Sequence, residues 1–409
     1  MAKFAAAGWK VEFDADSFYH DLVIINTCGF ILDAKQESVD MILEYARARK
    51  TGKIGKLCVI GCLAERYKNE LKNEIPGIDL IHGINSIEEL TREFCLDNIQ
   101  CSNERFITTP SHYAYLKISE GCDRKCSFCV IPEIRGKHIS RPVDILVNEA
   151  ELLAGKGVRE LILVAQDLTS YGIDLYGKNM LANLLLHLQS LKGIEWIRLH
   201  YAFPEGFPEE VLEIINDSKV ICKYLDIPFQ HISNKMLKIM RRGINRDKTL
   251  NLISKIRKKV PGIALRTTLL TGHPGETIDD FDELKRFVET VKFERLGVFS
   301  YSHEENTHSW KRFRDDLPDE EKARRVSEIM NIQQEISLSL NETKIGKIIK
   351  AVIDRQDDQF YYGRSEYDSP EVDNEIIIKK SETLVPGTFH KVKITGAGEF
   401  DLFAELVKR

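Results

Sequence analysis

The sequence predicts an α/β protein in three parts: an N-terminal parallel-sheet unit, a central partial (β/α)6 barrel, and a small all-β barrel of the OB kind. Three observations carry that expectation. Short β-rich runs alternate with helical periods over the first hundred residues, and six strand-like runs recur with helical segments between them from Tyr113 to Ser302. From Ile345 to Arg409 the texture changes to short strands broken by turn residues. A chain of 409 residues is long enough for two or three buried cores. With 43% hydrophobic and 30% charged residues, collagen-like, coiled-coil and wholly disordered readings are excluded.

The elements follow in order. From Asp21 to about Ser102, the runs DLVIINT, KLCVIG and IDLIHG read as strands, while DAKQESVDMILEYARARK and LAERYKNELKNE have helical period. This predicts a first domain over 1–102. CSNERFITTPSH, Cys101 to His112, is polar and aperiodic and reads as a linker. A second domain, 108–342, contains YAYLKIS, ELILVAQ, IEWIRLHYA, KYLDIPFQ, IALRTTLLTG and RLGVFSYS as its strands. Pro318 opens a long helix from Asp319 to about Thr343. The last domain, 343–409, holds KIIKAVID, QFYYGRS, EIIIKK, FHKVKIT and DLFAELV, separated by DD, DSPEVDN, VPG and GAG.

A net charge of −5 gives no polycationic field for phosphate backbones. No run of 18 or more uncharged apolar residues appears, and the first residues lack the form of a leader peptide, so the expectation is a cytoplasmic protein without a membrane partner. Nine cysteines in such a chain would stay reduced, and clustered thiols then point to metal ligands or catalysts. Cys58, Cys95, Cys101 and Cys222 lie outside any cluster and read as buried packing residues.

The sharpest cluster is GCDRKCSFCVIPEIRG, in which Cys122, Cys126 and Cys129 are spaced CxxxCxxC just past the first strand of the central domain. Structural zinc takes four protein ligands, usually as two CxxC pairs, and no second pair exists here. Three thiolates on one loop suit a cubane iron–sulfur cluster with one iron left open. S-adenosylmethionine offers an amino and a carboxylate group to chelate such an iron. The loop falls where a barrel's βα loops converge, at the C-terminal ends of its strands.

This spacing, with Phe128 directly before the third cysteine, resembles the radical SAM superfamily. Cys28 in TCGF and Cys62 in GCLAER, each ending a strand-like run, resemble two cluster-binding motifs of the methylthiotransferases. That resemblance spans essentially the whole chain and implies an N-terminal cluster domain, a radical SAM barrel and a TRAM domain. It also implies two 4Fe–4S clusters. Cys122, Cys126 and Cys129 would hold one; Cys28 and Cys62 would supply two of three ligands to the other. The family's first ligand motif, GCxKN-like, has no match here, and the expectation is a chain truncated at its start.

ISEGCDRKCSFCVIPEIRGKHISRP, AQDLTSYGIDLYG, YLDIPFQHISNKMLKIMRRG, LRTTLLTGHPGE and GRSEYDSPEVDN resemble the branch that modifies a small-subunit ribosomal protein; the rival branch modifies transfer RNA adenosines. The C-terminal domain carries 11 Lys plus Arg against 12 Asp plus Glu, a net −1, whereas a nucleic-acid grip is normally basic. The acidic SEYDSPEVDNE is expected either to face a cationic ribosomal protein or to be a solvated loop. The resemblance further implies hydrogen abstraction from an aspartate β-carbon by a 5′-deoxyadenosyl radical, followed by sulfur insertion. A hydrogen there is too weakly acidic for a side-chain base. An electron donor is required, and a monomer is expected. A non-catalytic electron carrier or RNA-binding module is the reading from another class, although a carrier gains nothing from an open iron.

Four further residues are candidates for the cofactor. Phe128 would shield the adenine or the cluster edge, or else fill the core. Gln166, ending the second barrel strand, would bond the cofactor's polar groups or merely cap the strand. Gly272 and Gly275, in GHPGE after the fifth strand, form a tight turn that lets backbone approach the cofactor or is only a turn. His200, His231, His273 and His303 are assigned no role.

Overall fold

The structure, a computed structural model, describes residues 1–15, 19–84, 87–96 and 105–407. Among the described residues the strands are β1 (His20–Thr27), β2 (Ile54–Gly61), β3 (Leu80–His82), β4 (Tyr113–Lys117), β5 (Ser119–Glu120), β6 (Ile139–Ser140), β7 (Glu160–Val164), β8 (Trp196–Leu199), β9 (Ile221–Asp226), β10 (Ala264–Thr271), β11 (Arg295–Ser300), β12 (Ile348–Gln356), β13 (Phe360–Ser365), β14 (Ile376–Lys379), β15 (Phe389–Ala397) and β16 (Leu402–Leu406). They fall into two compact units. The first is 1–108 with 129–137 and 304–307; the second is 109–128 with 138–303 and 308–409.

In the first unit β1, β2 and β3 form a parallel sheet in that order, with Thr27 opposite Gly61. Ile25, Leu57 and Val59 of the sheet pack with Ile42, Ala46, Leu63 and Leu71 from the helices. The helical run from Cys62 is broken: helices Cys62–Arg66 and Lys68–Glu74 meet at Tyr67, whose φ of −125° and ψ of 32° lie outside helical space. Sequence period alone joined these segments because the apolar spacing runs on across the break.

In the second unit the order β4-β7-β8-β9-β10-β11 is sequential and all parallel, as consecutive right-handed βα units give. Strands covered on both faces read as unbroken apolar runs, and ELILV of β7 is one. Helix Ile278–Val291 starts with a capping box: Thr277 accepts from the Asp280 N–H while the Asp280 carboxylate accepts from the Thr277 N–H. Such a cap is worth about 1 kcal/mol. The long helix Asp319–Glu342 then leads to a closed five-stranded barrel, β12-β13-β14-β16-β15. Its interior is Ala351, Ile353, Ile376, Ile378, Val392, Ile394 and Leu402.

The small barrel seats on the N-terminal ends of the parallel strands. Trp196, the first residue of β8, meets Phe389 edge-on at 4.8 Å, among Cys222, Tyr224, Ala264 and Val352. Here the acidic stretch SEYDSPEVDNE corrects both expectations for it. Asp368, Ser369 and Asn374 are buried, and Arg295 at the foot of β11 binds the Asp368 carboxylate. Asp373 accepts from the Tyr224 hydroxyl at 2.8 Å, and the Glu366 carbonyl accepts from Arg198 at 2.8 Å. Only Glu371 and Val372 are exposed within it. The carboxylates turn inward because the strand feet present buried arginines that require counter-charges.

Among the described residues no helix is long and apolar enough to cross a membrane. Cys58 and Cys222 are buried, as packing residues would be, but Cys95 is exposed in a left-handed turn with φ 55°. Cys101 and the first part of the linker lie outside the described residues.

Candidate functional site

The parallel sheet of the second unit sends its first loop out after β4 and β5. The loop begins at Gly121, whose φ of +77° suits glycine, and carries Cys122, buried, and Cys126, half-buried. Burial pushes the Cys122 thiol up to about 11, with the charges of Asp167 and Cys126 adding to it; a hydrogen bond from the Arg124 backbone N–H opposes the rise. Arg242 donates from Nη1 to the Cys126 sulfur at 3.0 Å. Cys129, three residues further on, is half-buried and is grouped with the first unit. Among the described residues, no three His, Cys, Asp or Glu side chains converge as a metal ion's ligands would.

Donor chemistry nonetheless fits an iron–sulfur cluster. Thiol sulfur is the soft donor such clusters take, and N–H groups aimed at the sulfurs favour an anionic group there. Arg124, within the loop, is already neutralised: it donates to Asp167 at 2.8 Å and Glu205 at 3.1 Å. Sequence reasoning missed Arg242 altogether, because within KIMRRG it reads as an ordinary surface cation.

Around the loop, Phe128 packs with Met236, Met240, Leu270, Tyr301 and Ile239. Gln166 follows β7, where its amide nitrogen donates to Glu120 at 3.1 Å. Its carbonyl oxygen is buried without a hydrogen-bond partner in the protein, an open acceptor that a ligand's N–H would satisfy. Gly272 and Gly275 adopt φ of +76° and +88°. A Cβ on Gly272 would lie 2.6 Å from Lys322 Cγ. The Gly272 N–H donates to the Glu276 carboxylate, so the turn is closed from within.

The histidines are held by hydrogen bonds. His200 meets the Ser369 hydroxyl at 2.8 Å, and burial pushes its pKa down to about 3. His273 meets the Ser309 hydroxyl at 2.8 Å and is pushed down to about 4 by burial. His231 accepts from the backbone N–H groups of Ile232 and Ser233, and His303 meets the Tyr301 hydroxyl.

In the first unit Cys28 and Cys62 directly follow the opposed residues Thr27 and Gly61. Two glycines permit the loops to touch. A Cβ on Gly29 would lie 2.7 Å from the Leu63 nitrogen and 2.8 Å from the Cys62 carbonyl carbon. Gly61 has φ +101°, and a Cβ there would lie 2.5 Å from the Thr27 oxygen. Cys28 is exposed; its N–H donates to the Ser38 hydroxyl at 3.1 Å. Cys62 is buried beside Val130 and Ile134, and Arg135 Nη2 approaches its sulfur at 3.2 Å. Thus both strand-end cysteines share one edge of the sheet.

The chain matches the Radical SAM superfamily over residues 116–288, the TRAM domain over 345–407, and Uncharacterized protein family UPF0004 over 1–83. The ribosomal protein uS12 methylthiotransferase RimO of Cytophaga hutchinsonii is 52% identical over 403 residues, covering 98% of this chain and 92% of that one. That of Porphyromonas gingivalis is 50% identical, covering 100% and 94%. Among solved structures, the radical S-adenosylmethionine methyltransferase TsrM of Kitasatospora setae with tryptophan and aza-SAM bound has a TM-score of 0.51 at 15% identity. The likeness covers 68% of this chain and 61% of that one, and it speaks for the fold. Radical SAM enzymes work with a 4Fe–4S cluster and S-adenosylmethionine. With half its residues identical to such relatives over their length, the chain belongs to the RimO methylthiotransferase family of radical SAM enzymes.

Proposed function

We propose that this enzyme transfers a methylthio group to the β-carbon of an aspartate in ribosomal protein uS12, alone or within the assembling small subunit. The full-length identity to RimO enzymes of two bacteria carries this reading. When bound, the cluster and S-adenosylmethionine supply the one-electron chemistry that removes a hydrogen too weakly acidic for any side-chain base. Cys122, Cys126 and Cys129 would hold that cluster as thiolates. Cys28 and Cys62 would contribute thiolates to a second.

The remaining residues bind and orient. Gln166 presents its unpartnered carbonyl oxygen to an N–H of the cofactor, and Glu120 fixes which end of the amide faces it. Phe128 supplies an apolar wall on a methionine-rich base. Gly272 and Gly275 hold a tight turn of backbone at the end of β10. The reading includes an external one-electron donor, a monomeric cytoplasmic enzyme and no membrane partner.

The test is mass spectrometry of uS12 from cells with and without the gene, beside transfer RNA nucleosides from the same cells. A methylthio increment on a uS12 aspartate that depends on the gene supports the reading. Modified adenosine with unmodified uS12 overturns it.

A further inference from the structure

Among the described residues of the second unit five arginines are buried: Arg198, Arg242, Arg295, Arg325 and Arg364. Four have carboxylates. Arg198 and Arg364 each lie 2.8 Å from Glu160, Arg325 lies 3.3 Å from Glu276, and Arg295 binds Asp368. Arg242 is the exception among the described residues. It is 4% exposed, and its polar partners are the Pro228 carbonyl, at 2.6 Å, and the Cys126 sulfur, at 3.0 Å. Its Nε is buried with no partner, and its guanidinium lies 4.3 Å from the centre of the Phe203 ring.

A guanidinium taken out of water without an opposite charge is costly, and a carbonyl and an aromatic ring compensate only part of that cost. Arg124 lies 4.1 Å from the same ring centre, yet it has two carboxylates. The difference between the two is the sulfur. A thiolate-ligated cluster is the anion that would complete the Arg242 site.

We propose that Arg242 is the counter-cation of the cluster held by Cys122, Cys126 and Cys129, a positioning residue that eases the cluster's reduction through the N–H···S bond to Cys126. This rests on the reading that those three thiolates carry a cluster. Reduction takes one electron from the external donor and adds one negative charge to the cluster. A fixed positive charge in a low-dielectric pocket stabilises the reduced state more than the oxidised one, raising the midpoint potential.

The test uses full-length protein carrying Cys28→Ala and Cys62→Ala, so that a single cluster is read, reconstituted anaerobically and titrated with reductant under EPR. Arg242→Gln is expected to move the midpoint to more negative potential than the parent, and Arg242→Lys to restore most of the shift. Loss of the cluster from Arg242→Gln with retention in Arg242→Lys also supports the charge role. Equal midpoints in all three proteins overturn the proposal, as does loss of the cluster from Gln and Lys variants alike. A parent with Arg242 intact and no 4Fe–4S signal would instead overturn the ligand assignment itself.

Discussion

Arg364 of the small barrel and Glu160 at the foot of β7 form a buried ion pair at 2.8 Å, although 204 positions separate them in sequence. Arg198 donates to the other oxygen of the same carboxylate, and Arg364 also grips Asp354, which accepts from His112 at 2.7 Å. Replacing Arg364 by Met would leave buried Glu160 with Arg198 as its one remaining arginine and half-buried Asp354 with none. The expected loss is about 3 kcal/mol or more of unfolding free energy. Chemical denaturation of the two proteins measures it, and a loss below about 1 kcal/mol would contradict the role given to the pair.

Acid should loosen the same seam. Burial alone would raise the Glu160 carboxyl, but Arg364 and Arg198 outweigh it and hold the group below the usual glutamate range. Burial is likewise outweighed at Asp354 by His112 and Arg364, and at Asp368 by Arg295. A carboxyl lowered in the folded state stabilises fully above its unfolded pKa, about 4, and that stability is lost as pH falls through the folded value. Unfolding free energy should therefore begin to fall below about pH 6.5, where His200 and His273 stay neutral in the fold but protonate in the unfolded chain, and fall more steeply below about pH 4 as the carboxylates follow. A pH series of denaturation curves checks this, and Arg364→Met should show a shallower fall.

Gly61→Ala should damage the first unit selectively. A Cβ there would sit 2.5 Å from the Thr27 oxygen, in a backbone conformation with φ +101° that alanine rarely adopts. The expected result is lower iron content after reconstitution, with S-adenosylmethionine still cleaved. Unchanged iron would show that contact between the Cys28 and Cys62 loops is unimportant for loading.

The two sets of thiols should separate by assay. Cys126→Ala is expected to abolish 5′-deoxyadenosine formation. The Cys28→Ala, Cys62→Ala protein should lose about half its iron and all methylthio transfer, yet still form 5′-deoxyadenosine. Transfer persisting in that protein would remove the second cluster from the reaction.

The central parallel strands were legible because they are covered on both faces and therefore written as apolar runs, so that ELILV needs no tertiary knowledge, and DLVIINT was legible by its β-branched and aliphatic run alone. The cysteine spacing was legible because one short loop carries it. Arg242 was not, since burial of a charged residue depends on what folds over it, and KIMRRG holds no trace of Phe203 or Pro228. Nor was the inward turn of Asp368 and Asp373. Their partners, Arg295 and Tyr224, lie on distant strands, and local charge says only that a stretch is acidic. The break at Tyr67 was hidden for a related reason: apolar spacing reports a face, whereas backbone continuity is a separate property.

The acidic segment that seals the strand feet makes the C-terminal module an organ of the enzyme rather than an appendage. A chain ended at residue 343 would strip Arg295 of its carboxylate and Arg198 of its carbonyl acceptors at one stroke. A graft from another family branch would succeed only if it brought carboxylates to the same places. Exchange of these modules between relatives is thus constrained by electrostatic bookkeeping at the base of the sheet, far along the chain from the cysteine loop that defines the superfamily.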